Sequence, residues 1–301
     1  MPNLLPGLLI SLIWIGPLCL ALTPFLMLGT DAGLLQKFIA IAVALPIFAF
    51  SFALVAGLLS LPSQRKIIRG RFPRKPFHRI YFWRRLYGCC WTNIFYFKPL
   101  YFVFLSIPVL KKSLFLLFGY KGPLNFTVYP DTWLRDLPLL HFGENSYCSN
   151  RSTIGTNMCL QDGSILVDRV HIGANAMLGH LSMVAPGVKL EKDVEVGAGV
   201  ALGIRCRMKE GARIGAGSSV NHGSIFGARS ETGGHSHIGL QVEIGDDIKV
   251  PAGANIPAGA IIATQEDVDK YLSSENQALR THVAGVAEVF RTTMEAVHLK
   301  D

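Results

Sequence analysis

The chain has 301 residues, enough for one or two domains. Half of them are hydrophobic and 17% are charged, against about 25% charged in a soluble domain, and no long polar or proline-rich tract occurs, so a disordered chain and a collagen-like fibre are excluded. The net charge of +8 is unevenly placed: residues 32–130 hold fourteen Lys or Arg and no acid, whereas residues 131–301 hold fifteen basic and twenty acidic residues. A basic, apolar front half joined to a mildly acidic back half points to a membrane surface before nucleic acid.

Two uncharged stretches open the chain, Leu4–Leu28 and Phe38–Leu61. Each matches the ~20 residues that cross a bilayer core, and the turn at 29–33 makes a transmembrane helical hairpin the natural reading of residues 1–62. Pro6, Pro17, Pro24 and Pro46 are tolerated in such helices. From Gln64 to Arg85 there are nine basic residues and no acid (Arg65, Lys66, Arg69, Arg71, Arg74, Lys75, Arg79, Arg84 and Arg85). The positive-inside rule therefore places this segment and both ends of the hairpin in the cytoplasm, so the expected location is the inner membrane. Interleaved Phe72, Phe77, Tyr81, Phe82 and Trp83 suit anionic lipid headgroups here better than nucleic acid. Cys89–Leu110 is apolar but broken by Lys98, Pro99 and Pro108, which suggests an interfacial or re-entrant helix pair. Residues 63–141 thus read as a basic, aromatic, membrane-interfacial segment. The six cysteines (Cys19, Cys89, Cys90, Cys148, Cys159, Cys206) show neither CxxC nor framework spacing, as expected of reduced thiols in the cytosol.

The back half is a repeat of six. Stepping from Ile154 to Ile262, eighteen of nineteen positions are apolar, Thr232 being the exception, and the phase extends back to Cys148 and Phe142. Gly often follows the apolar residue, as at Gly155, Gly173, Gly179, Gly197 and Gly215, and a small or β-branched residue lies four places after it. Six residues make one short strand and one turn, and three such units close a triangular coil of eighteen. Apolar residues fill the prism, small ones fit the corners, and the glycines permit the turns. Coils stack as parallel strands about 4.8 Å apart. Residues 142–262 are therefore expected to form an all-β prism of nearly seven coils, with no loop interrupting the register from 154 to 262. Thr264–Asp267 reads as a capping box, and the helical spacing from Val268 to Val297 predicts that residues 263–301 form a C-terminal helical cap.

This pattern resembles the hexapeptide-repeat, left-handed parallel β-helix family. Its enzymatic members are mostly acyltransferases using an acyl thioester, usually acyl-CoA, and their sites commonly lie between adjacent prisms of a trimer. The strings Lys66–Leu86, Leu117–Gly122 and Asp168–Gly173 also look like the membrane-embedded terminal domain of ε-poly-lysine synthetase-type peptide synthetases, in which membrane helices lead into hexapeptide prisms. The resemblance implies a membrane-anchored, trimeric acyltransferase. Its donor would be acyl-CoA or an acyl or aminoacyl carrier protein, and its acceptor an amine or a hydroxyl. Where members of that type carry a His after a Leu-Gln pair, Leu160-Gln161 here is followed by Asp162-Gly163.

Acyl transfer needs a base for the nucleophile's proton and donors for the oxyanion. His180, in the third slot of an early hexad, is the first candidate for the base. His222 is the second, with Asn221 as orienter or oxyanion donor, and His235 is a further candidate. His180 and His235 fall on one face three coils apart, about 14 Å by strand spacing, while His222 falls on another. His235 and His237 suggest a metal pair, but two ligands are too few for a closed zinc site, so no metal is expected. The competing reading is a non-catalytic scaffold that docks a membrane-associated biosynthetic complex.

Overall fold

The computed structural model describes residues 4–29 and 31–272. It divides into two compact units. The first comprises residues up to 121 with 135–140 and 159–167; the second comprises 122–134, 141–158 and the chain from 168 onward.

The first unit is mainly helical. It contains α1 (Leu4–Ala21), α2 (Thr23–Leu26), α3 (Leu34–Gln64), α4 (Arg79–Tyr96), α5 (Lys98–Ser106) and α6 (Pro108–Leu117). Leu5–Leu26 and Leu34–Gln64 are long and apolar enough to cross a membrane, and their outward surfaces are leucine, isoleucine and phenylalanine. The interior is aromatic: Tyr87, Trp91, Tyr101, Phe115 and Phe118 are fully buried, and Trp91 meets Tyr101, Phe115 and Phe118 edge to face. The axis bends by 115° between α5 and α6, where Ile107 is extended and Pro108 begins the next helix. One basic residue departs from the solvated placement its neighbours suggest: Arg84 is buried in an ion pair with Asp136. A buried arginine is tolerated only with such a partner.

A three-stranded sheet completes this unit. Gly70–Pro73 runs antiparallel to Ser164–Val167, which in turn neighbours Asn157–Cys159. Arg71 donates from Nε to Ser164 Oγ at 2.8 Å and pairs with Asp162. The Ser164 hydroxyl and N–H, together with Arg71, hold the Asp162 carboxyl down at about 2.

The second unit is a parallel β-solenoid with three sheets of seven short strands. Six strand spacings make it about 29 Å tall. The apolar slot points inward, with Ile172, Leu178, Leu190, Met208 and Phe226 all fully buried. The small residues four places later are buried at the corners, where Ser218, Ser224, Ser230 and Ser236 donate their hydroxyls to backbone carbonyls. Ser224 Oγ, for example, donates to Gly239 O at 2.9 Å.

Three details differ from the sequence reading. The ladder begins earlier than residue 142, because Val128 pairs with Cys148 and Leu134 with Ile154. Each step there is twenty residues, and the two extra residues break the six-fold phase. Second, the register is interrupted. Ile154 pairs with Val184, thirty residues on, whereas Leu178 pairs with Val196, eighteen on. Twelve residues leave the coil as the hairpin that pairs with Gly70–Pro73. Two whole hexads leave the period intact, so Leu160 and Leu166 kept phase without lining the prism. Third, the left-handed turn residue is not the glycine after the apolar residue but the residue two further on. Positive φ recurs there every six residues from Asn175 to Gly259. The glycine after the apolar residue instead permits close stacking: a Cβ on Gly215 would lie 2.3 Å from the backbone nitrogen of Gly234.

At the prism's end, Gln265–Lys270 forms α7. Asp267 accepts from the Thr264 N–H and hydroxyl, each at 3.0 Å, and Val268 is buried. The rest of the expected cap, from residue 273 on, lies outside the described residues.

Candidate active site on one face of the prism

The sheet that runs from Trp133–Leu134 to Asn255–Ile256 carries one outward residue per strand beside the buried one. The ladder pairs Met183 with Ala201, Ala201 with Ser219, Ser219 with His237 and His237 with Asn255. Ser219 Oγ lies 2.8 Å from His237 Nδ1, and Asn221 Nδ2 lies 3.4 Å from His237 Nε2. The Asn221 amide also donates to Ile238 O at 3.2 Å. In the tautomer with its proton on Nδ1, the ring donates to Ser219 Oγ and Nε2 presents a lone pair toward the open face, beside the Asn221 amide. His237 is exposed.

Asn221 is pinned from beneath. Its backbone carbonyl accepts from Cys206 Sγ at 3.0 Å and from Ser224 Oγ at 3.2 Å. Burial pushes the Cys206 thiol up to about 11, so it remains a protonated donor.

The other candidates stand elsewhere. His222 Nδ1 accepts the Ile204 N–H at 2.9 Å, so its neutral ring holds the proton on Nε2 and presents a donor, not a base. His180 and His235 lie along one corner column, linked through the backbone by Gly199 N to His180 O, Gly217 N to Ala198 O and His235 N to Ala216 O. Both are exposed. Exposed Met177, Leu181 and Met183 flank His180. His235 is itself a left-handed turn residue, with φ 55°, so a corner separates it from His237 and the two do not share a strand face. Among the described residues, no group of three or more His, Cys, Asp or Glu is placed to hold a metal ion. In the sequence His237 stands out only beside His235, as half of a possible metal pair, and Ser219 does not stand out at all. The eighteen-residue coil was the available signal, because it places 219 directly beneath 237.

Two further features mark the other faces. His141 and His171 stack with ring centroids 4.5 Å apart and planes 5° from parallel. Burial, then His141 and Lys189, lower the pKa of His171 from 6.5. On the third face, Glu195, Arg213, Glu231 and Lys249 stack on successive coils, with oppositely charged neighbours 3.7 to 3.8 Å apart.

No family model and no curated protein matches the chain. Similar solved structures include a mutant GDP-perosamine N-acetyltransferase from Caulobacter crescentus in complex with CoA and GDP-perosamine, at 15% identity and TM-score 0.27, covering 52% of this chain and 59% of that one. The acetyltransferase domain of PglB from Neisseria gonorrhoeae with acetyl coenzyme A is 15% identical over 50% of this chain and 62% of that one, at TM-score 0.19. UDP-N-acetylglucosamine acyltransferase from Francisella novicida is 9% identical over 54% of this chain and 78% of that one, at TM-score 0.30. The chain thus spans less than two thirds of the first two. At such identities and scores the likeness carries no argument about this chain's chemistry.

Proposed function

We propose that the protein is a membrane-anchored acyltransferase, with α1 and α3 spanning the inner membrane and the prism in the cytosol. The donor is the thioester of acyl-CoA or of an acyl or aminoacyl carrier protein, and the acceptor is an amine or a hydroxyl. His237 takes the role of base in place of His180. Its Nε2 removes the acceptor's proton as the acceptor attacks the thioester carbonyl. The Asn221 amide donates to the oxyanion. Collapse breaks the carbon–sulfur bond, and the imidazolium returns its proton to the departing thiolate. A trimer built through prism faces would enclose this open face. The observation that supports the reading most is the oriented imidazole, held at Nδ1 by Ser219 with Nε2 beside the Asn221 amide.

The test follows free thiol released from acyl-CoA or a loaded carrier protein in the presence of an amine or hydroxyl acceptor. His237→Ala should lower acceptor-dependent turnover by about 10²–10⁴-fold, while His180→Ala leaves most of it intact. A loss confined to His180→Ala moves the site to the corner column. If no donor is consumed by the well-folded protein, the prism is a docking scaffold.

A further inference from the structure

We infer that α4–α6 form a re-entrant excursion that dips to the bilayer midplane among lipid acyl chains and returns to the side it left. This rests on the reading that α1 and α3 span the membrane. Lys37 and Arg65 bracket the apolar length of α3, and at 1.5 Å per residue they stand about 42 Å apart, the thickness of a bilayer with its headgroups. α3 therefore serves as a depth gauge for what packs on it. Phe97, at the end of α4, packs on Phe48 and Phe52 of α3 at 6.1 and 5.7 Å and on Trp14 of α1 at 5.6 Å. Phe52 lies thirteen residues, or about 20 Å, above Arg65 along the helix, close to mid-bilayer. Phe104 in α5 meets Phe50 at 5.9 Å, so α5 stays at that depth.

The chain then returns. The Leu117 carbonyl accepts from Gln64 Nε2 at 2.8 Å, and the Leu117 side chain fills the space beside Gly57. Gln64 lies at the Arg65 end of α3, and Gly57 about 12 Å further in, between that end and the level of Phe52. Phe118 O accepts the Tyr87 hydroxyl at 2.9 Å, midway along α4 and ten residues before Phe97. The chain thus leaves at the Gln64 end of α3 and beside the middle of α4, well short of the Lys37 end, and the 115° bend after Ser106 turns it back without a crossing. The excursion is equipped for its depth. Lys98 holds its ammonium 3.6 Å from the centre of the Phe95 ring, which offsets part of the cost of a charge there. Outward, Phe102, Val103, Ile107 and Val109 are 46 to 71% exposed, an apolar surface continuous with that of the spans.

Cysteines added one at a time to the full-length protein, with the accessible Cys19, Cys89 and Cys159 changed to Ser and the parent without an added cysteine as the background, test this in sealed vesicles of both orientations. A membrane-impermeant maleimide should label Arg69→Cys and Lys121→Cys from one side and Asp31→Cys from the other, with about tenfold or greater preference. Ile107→Cys should resist that reagent from both sides yet react with a lipid-soluble maleimide. Labelling of Lys121→Cys from the Asp31 side would mean that the segment crosses. Free labelling of Ile107→Cys by the impermeant reagent would mean that the bend lies in water. Labelling of Asp31→Cys and Arg69→Cys from the same side would instead remove the anchor itself, and with it the depth gauge.

Discussion

His222 and His237 stand on neighbouring coils with opposite roles set by one hydrogen bond each. The Ile204 N–H occupies Nδ1 of His222, whereas Nδ1 of His237 pairs with the Ser219 hydroxyl, so that in the Nδ1-protonated tautomer Nε2 is available. Asn221→Ala should therefore lower turnover by about 10²–10³-fold, the worth of one oxyanion donor, with KM for the thioester little changed in steady-state assays. The stacked His pair gives a second prediction. Because the folded pKa of His171 lies below 6.5, the folded state binds fewer protons than the unfolded chain just below that pH. Stability is complete above pH 6.5 and falls as pH drops through and below it. Thermal melts between pH 8 and 5 should show this slope, and His171→Gln should flatten it. The histidines and Asn221 could be found in the sequence. Their ring roles could not, since these depend on which backbone N–H or hydroxyl the neighbouring coil supplies.

Within one hexad, each slot answers a distinct steric demand, and the sequence revealed the apolar and corner slots more clearly than the turn slot. Asn, Asp, Arg, Gln, His and Leu share the left-handed position with glycine, so no single residue type advertises it. Leu181 is the least suited, at φ 59°. Leu181→Asn should stabilise the prism by about 1 kcal/mol, since Asn tolerates this region, and urea unfolding would measure it. The stacking glycine behaves oppositely. Gly215→Ala puts a methyl 2.3 Å from the Gly234 nitrogen and should cost about 3 kcal/mol or more, whereas Gly163→Ala, in the hairpin with nothing within 4 Å but φ at 75°, should cost only the ~1 kcal/mol of a left-handed backbone.

Across the whole chain, periodicity predicted the solenoid and overlooked its interruption for the same reason: twelve residues shift a six-residue pattern by nothing. The ends of the excursion already meet, with Asp168 N donating to Thr156 O at 2.9 Å. Excising residues 157–168 should leave a prism that still unfolds cooperatively, as read by circular dichroism during a melt, while Gly70–Pro73 loses its strand partner and becomes more open to protease. The alternating ladder of Glu195, Arg213, Glu231 and Lys249 has a consequence of its own. Charges that change sign every coil repeat every two, about 9.6 Å, and the potential of such an array dies away over roughly 1.5 Å, far faster than salt would screen it. To an anionic nucleotide approaching through solvent, that face is electrically silent until contact, neither drawing it in nor turning it away.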